Sequence, residues 1–326
     1  MTDQADNLRQ AIANLGRARL SETALAVPVG AAVPVSAPAP AAEVVSALPI
    51  KARRGGPARV FTVTSGKGGV GKTNVSINLA IALSDLKYKV AILDADFGLA
   101  NVEVLFGLIP KYKLLDAIHN EKTISEIVCD GPRGVKFISG GSGVEELVRL
   151  DDEQIAALIS GLSGLDEEFD VIIIDTGAGL SETVVGMSLA ADEVLLVTTP
   201  EPTSVTDAYA LIKTLVARDR DKTVRLIVNR AESALEAADI MSKLSQVSEK
   251  FLDLKLHKLG YILNDPLVVR SVKQQQPFLI GFPQSKISRS VREIALRLME
   301  RTAFAPEKGR GLAGFFGGIS KFLLYK

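Results

Sequence analysis

Gly66-Lys67-Gly68-Gly69-Val70-Gly71-Lys72-Thr73 decides how this chain is read. Before it, Val60 to Thr64 is apolar enough for a buried strand; after it, from Asn74 to Leu86, apolar residues recur at helical spacing. Strand, glycine-rich loop and helix together make G-x-x-x-x-G-K-[ST] a phosphate-binding loop rather than an ordinary turn. The glycines let the backbone curl so that successive N–H groups face phosphate oxygens, and the helix brings its positive end to the same place. Gly66, Gly68, Gly69, Val70, Gly71 and Asn74 would form the wall of an ATP or ADP site. Lys72 would reach the β- and γ-phosphates, and the Thr73 hydroxyl would take one Mg2+ position.

A second lysine, Lys67, follows the first glycine directly. It adds positive charge beside phosphates that Lys72 already serves; the alternative is a solvated surface lysine. Lys-Gly-Gly-Val-Gly-Lys-Thr resembles the deviant Walker A motif of the MinD/ParA ATPases. The resemblance implies an ATP-bound homodimer in which Lys67 reaches the partner's nucleotide, so that Lys67 and Lys72 both serve catalysis. It also implies an α/β P-loop NTPase fold of the SIMIBI type, a mostly parallel sheet with helices on both faces.

Val90 to Leu93 reads as a second buried strand and runs into Asp94-Ala95-Asp96. Carboxylates at the C-terminal end of a parallel strand lie on the ligand side of the sheet. Hydrolysis needs a group that holds water in line with the γ-phosphate. The match to the family's switch I assigns that task to Asp96, with a contact to Mg2+ as well. For Asp94 a helix cap and a turn role stay equally open. Val171-Ile172-Ile173-Ile174 followed by Asp175 has the Walker B shape, with Asp175 expected at Mg2+ through water. Thr176 to Ser181 resembles switch II. After the strand Val224 to Val228 come Asn229 and Arg230. An amide there can bond a purine edge, and a guanidinium can stack on its ring. The resemblance gives Asn229 the adenine contact; a turn Asn beside a surface Arg is the alternative. Further strands are expected at Val135–Ile138, Glu193–Thr198 and Leu259–Leu263, and helices at Asp151–Leu162 and Ile287–Met299. Residues 59–302 form the expected ATPase domain.

The flanks differ from this core. In residues 1–20, Ala5, Leu8, Ile12 and Leu15 make one helical stripe, with Asp3 as N-cap and Gly16 as stop. Such a helix is marginal alone and frays unless it docks. Asp3-Gln4-Ala5-Asp6-Asn7-Leu8-Arg9 resembles the activator motif of the flagellar-number ATPases of the FlhG/FleN group. The resemblance implies docking on the signal-recognition-type GTPase FlhF, with Gln4 in the partner's site, Leu8 as anchor and Arg9 on the GTPase surface. Residues 21–58 are rich in Ala, Pro and Val; Pro28, Pro34, Pro38 and Pro40 argue for a semi-extended linker and against a membrane span, while Asp3 and Asp6 spoil the basic start of a secretory signal. In residues 303–326, Leu312, Phe315, Phe316, Ile319, Phe322 and Leu323 recur at helical spacing among Lys308, Arg310, Lys321 and Lys326. Gly311, Gly314, Gly317 and Gly318 weaken this helix in water by about 1 kcal/mol each. Folding on an anionic bilayer would suit it, as would packing on its own domain or a dimer partner.

The totals narrow the partners. The 326 residues carry no net charge, one cysteine (Cys129), two histidines and no tryptophan. One cysteine builds no disulfide framework or cysteine cluster within the chain. Neutral charge and few aromatics speak against direct nucleic-acid binding. The expected protein is a cytoplasmic ATPase switch, reversibly peripheral at the membrane, resembling the FlhG/FleN group in controlling flagellar number and placement. FlhF, the flagellar master transcription activator and flagellar switch-complex proteins are the implied partners. A ParA-like partitioning ATPase and an ATP-coupled metabolic enzyme are the competing readings.

Overall fold

Runs of β-branched and aliphatic residues, buried on both faces, build the sheet. A computed structural model describes residues 57–96, 101–140, 161, 164–300 and 311–324, except the side chains of 323 and 324. The expected activator helix (Asp3, Gln4, Ala5, Leu8, Arg9), nearly all of the linker, most of the 151–162 helix and the Leu323 side chain lie outside the described residues.

The strands are β1 (Arg59–Ser65), β2 (Val90–Ala95), β3 (Cys129–Asp130), β4 (Lys136–Ser139), β5 (Val171–Ala178), β6 (Glu193–Thr198), β7 (Val224–Ala231) and β8 (His257–Leu263). Their order is β3-β4-β2-β5-β1-β6-β7-β8. Among the described residues only the β3–β4 pair is antiparallel. β1 therefore lies at the centre, between β5 and β6.

The helices are α1 (Lys72–Asp85), α2 (Val102–Phe106), α3 (Leu114–Ile118), α4 (Ile124–Ile127), α5 (Glu182–Ala190), α6 (Pro202–Arg218), α7 (Ala234–Leu252), α8 (Pro266–Lys273), α9 (Phe278–Gly281), α10 (Lys286–Met299) and α11 (Gly311–Leu324). Alternation along β5 separates the two layers, because successive strand side chains point to opposite faces. Val171 and Ile173 join α1 and α10 on one face. Ile172 and Ile174 join α3, α5 and α11 on the other. A third cluster packs α6 and α7 against β6 and β7.

Three strands run further than their hydrophobic runs. β5 continues through Asp175 to Ala178, β2 through Asp94 to Ala95, and β7 through Asn229 and Arg230 to Ala231. Parallel neighbours hold these extensions at particular residues, Asp94 opposite Asp175 and Ala231 opposite Leu263. β7 accommodates Arg230 at φ 56 by a register shift between Val228 and Ala231.

The apolar stripe of the tail is covered by its own domain. Leu312, Phe315, Phe316 and Ile319 of α11 are buried with β2 and β5 residues. Gly186 on α5 leaves the space that Phe322 occupies: a Cβ there would meet the ring at 2.6 Å. Gly318 backs onto Ala190, one turn further along α5, where a Cβ would lie 3.1 Å from its side chain. The glycines that weaken an isolated helix thus allow close helix–helix approach. Asp166 caps α11 from another segment: its carboxylate accepts from Leu312 N at 2.6 Å and Ala313 N at 3.3 Å.

Candidate nucleotide site

The loop between β1 and α1 opens at the C-terminal end of the central strand. Gly69 and Gly71 take positive φ, 75° and 93°, where a side chain would be strained. Gly71 has a second reason to be glycine. Asn229 Nδ2 donates to Val70 O at 2.7 Å, and a Cβ on Gly71 would lie 2.5 Å from that nitrogen. Asn229 therefore holds the loop's shape and keeps its amide oxygen for another partner, while Arg230 beside it is exposed. Gly66 presses against α6, where a Cβ would sit 2.2 Å from Asp207 O. Among the described residues no side chain caps the N-terminus of α1, which leaves its first N–H groups for an anion.

Two carboxylates stand side by side beneath the loop. Asp175 is fully buried; Oδ1 accepts from Ser76 Oγ at 2.7 Å, and Oδ2 has no partner among the described residues. Burial, followed by the charge of Asp94, pushes its carboxyl up to about 7. The Ser76 and Thr73 hydroxyls oppose this shift. Asp94, raised to about 6 chiefly by burial, accepts from Asn101 N at 2.9 Å, Val102 N at 3.0 Å and Asp96 N at 3.2 Å. It is the cap of α2. Asp96 stands at the end of β2 beside Gly177, where a Cβ would be 3.4 Å from its Oδ1. Gly179 N donates to Ser65 O at 2.9 Å, so the segment after Walker B closes onto β1.

The two loop lysines have separate surroundings. Lys72 is buried, with Nζ donating to Ser65 Oγ at 3.1 Å; burial lowers its pKa, against the opposing charges of Asp175 and Asp96. Lys67 Nζ instead donates to Glu201 Oε2 at 2.7 Å and Thr203 Oγ1 at 2.8 Å, at the start of α6.

This donor set fits Mg·ATP. The glycine cradle, the uncapped helix and Lys72 match the phosphates. The unpartnered Asp175 Oδ2 beside the Thr73 and Ser76 hydroxyls offers hard oxygens to a cation. Among the described residues no three His, Cys, Asp or Glu side chains gather into a metal site. Mg2+ does not need them, since it takes one or two protein oxygens plus phosphate and water. Gly66 to Asn74, Asp96, Asp175, Asn229 and Arg230 thus come together around one loop. Ser65, Ser76, Glu201 and Thr203 belong to the same surroundings and were not singled out by sequence. Ser76 carried a signal: a polar residue one turn after Lys72 on an otherwise apolar helix face.

Residues 57–299 match the family model ParA, described as "NUBPL iron-transfer P-loop NTPase". Antiactivator FleN of Pseudomonas aeruginosa is 45% identical over 243 residues, covering 74% of this chain and 86% of that protein. Flagellum site-determining protein YlxH of Helicobacter pylori is 36% identical over 271 residues, covering 82% and 92%. Among solved structures, the MinC:MinD cell division protein complex of Aquifex aeolicus superposes with a TM-score of 0.61 at 26% identity, over 77% of this chain and 99% of that one.

Proposed function

The chain belongs to the ParA family of P-loop NTPases, and from that premise we propose that it is a dimerising switch that sets flagellar number and placement. It is an ATPase, and in this reading Mg2+ accompanies the nucleotide. The reading of that ATPase as a dimerising switch rests on one observation: Lys67 is tied to Glu201 and Thr203 at the surface, while Lys72 alone enters its own loop. Held there by a partly exposed pair, Lys67 would exchange Glu201 for a nucleotide held by a second copy.

In this reading Lys72 and the loop N–H groups grip the β- and γ-phosphates, and Asn229 and Arg230 hold the base. Thr73 and Asp175 would hold Mg2+, which would supply charge neutralisation to the phosphates. Asp96, next to Gly177, keeps the attacking water in line. Lys67 of one copy completes the partner's site, so the dimer lasts as long as the γ-phosphate. Dimerisation frees α11 from its bed on α5, and two tails together bind an anionic membrane that one holds only weakly. No helix among the described residues is long and apolar enough to cross a membrane; in this reading the tail attaches peripherally, at the cytoplasmic face.

The relatives FleN and YlxH support the flagellar reading. The segment Asp3 to Arg9 then engages FlhF and stimulates its GTPase activity. The dimer, or the monomer it reverts to, restrains the flagellar master activator and meets switch-complex proteins. The test is a pull-down from flagellated cells with full-length protein in ATP or ADP, with and without residues 1–20. FlhF should be retained only with ATP and only with that segment. Retention that ignores both would overturn the reading.

A further inference from the structure

Between α2 and α3 the chain runs Leu108-Ile109-Pro110-Lys111-Tyr112-Lys113. Ile109 is 96% exposed, and Val104 and Leu108 beside it are exposed as well. One exposed aliphatic residue is ordinary on a protein surface. Here three fall within a short stretch and are followed by exposed lysines. No acidic residue lies between Glu103 and Asp116. The Lys111 and Lys122 ammonium groups sit over the Tyr112 ring, 5.0 and 4.5 Å from its centroid. An aliphatic tip with a tyrosine and ammonium groups behind it is the composition that suits a lipid–water interface.

Both ends of the loop are fixed. α2 hangs from Asp94 at its first turn, and Glu103 on it accepts from Ser139 Oγ at 2.7 Å. Gly107 ends α2 at φ 66, a turn that favours glycine. At the other end Leu114 is buried and lines one gap with Leu312 and Phe316 of α11. The loop therefore stands at the rim of the bed in which the tail lies, on an element anchored two residues from Asp96.

We infer that Leu108 to Lys113 is a second contact with an anionic lipid surface, acting beside the tail. The inference rests on the proposed membrane role of α11. Continuity with the tail's bed, two exposed lysines and an aliphatic tip all favour a bilayer. Two weak signals together give the firmer attachment that one apolar segment does not.

The test uses full-length protein, a non-hydrolysable ATP analogue, Mg2+, and phosphatidylcholine vesicles with and without phosphatidylglycerol. Ile109→Asp, and separately Lys111→Glu with Lys113→Glu, should each lower flotation with anionic vesicles by about tenfold. Both should leave thermal melting unchanged, because these side chains are exposed. In a Cys129→Ser background, a polarity-sensitive dye on Ile109→Cys should shift to the blue on anionic vesicles. Unchanged flotation of the loop variants, while Phe322→Asp abolishes it, would overturn the loop contact and leave the tail reading standing. Failure of the unaltered chain to float would overturn both. A dye that stays in a water-like environment on bound protein, or shifts only on adding a soluble protein, would also overturn the lipid contact.

Discussion

Lys67 Nζ lies 2.7 Å from Glu201 Oε2, across 134 residues of chain, so the second loop lysine is held by the start of α6 and not by its own loop. Both side chains are partly exposed, 37% and 57%, and such a pair adds little stability. Lys67→Ala should therefore melt like the unaltered protein and bind ATP with affinity within about threefold, because Lys72 and the loop N–H groups are untouched. It should fail to turn ATP over at the normal rate. Isothermal titration beside a phosphate-release assay checks both halves; normal turnover would remove the role given to Lys67.

Asp96 is the carboxylate beside Gly177, and no other group is proposed to hold the attacking water. Asp96→Ala should slow hydrolysis by roughly 100-fold or more while ATP binding persists. Vesicle-bound protein should then accumulate with ATP itself, without need of an analogue. Near-normal phosphate release would transfer the task to another residue.

Asp175 gives a pH signature. Its carboxyl is raised from the ordinary 3.8 to about 7, so between those values the folded chain keeps a proton that the unfolded chain has lost. Stability of nucleotide-free protein should fall as pH rises through this window, reaching its low plateau above about 7. Asp175→Asn removes the buried charge and should raise stability at pH 8 by roughly 1–3 kcal/mol while abolishing Mg2+-dependent turnover. Mg·ATP should protect the unaltered protein more at pH 8 than at pH 6. Melts across pH, with and without Mg·ATP, decide this; an asparagine variant less stable at pH 8 would contradict it.

The bed of α11 can be spoiled without touching the nucleotide site. A Cβ on Gly186 would meet Phe322 at 2.6 Å, and Asp166 caps the first turn of the tail. Gly186→Val should push the tail off, and Asp166→Ala should weaken its seat by about 1 kcal/mol. Both variants should float with anionic vesicles in the absence of nucleotide, where the unaltered protein does not. Flotation that still demands ATP would show that the bed does not restrain the tail.

The sheet and the loop were legible because buried β-branched runs between glycines have few other uses. Glu193–Thr198 falls where the sequence placed it. The ends of β5 and β7 were not legible. Gly177, Ala178, Asn229 and Arg230 look like loop residues; the strands run through them because pairing with parallel neighbours resumes at Ala178, opposite Ser65, and at Ala231, opposite Leu263. The cap made by Asp94 depends on where Asn101 and Val102 come to lie, so spacing left it undecided between cap and turn. The Lys67–Glu201 contact depends on which helix meets the loop, and sequence does not contain that. The stripe of α11 has one period whether lipid or protein covers it; Gly186 and Ala190, on another helix, supply the protein cover.

The central claim is that two chains share one terminal phosphate, and sedimentation velocity of the full-length protein tests it most directly. With Mg2+ and a non-hydrolysable ATP analogue the protein should sediment as a dimer. With ADP it should sediment as a monomer, and Lys67→Ala should be a monomer with either. A single-chain mass for the unaltered protein loaded with the analogue would contradict the account.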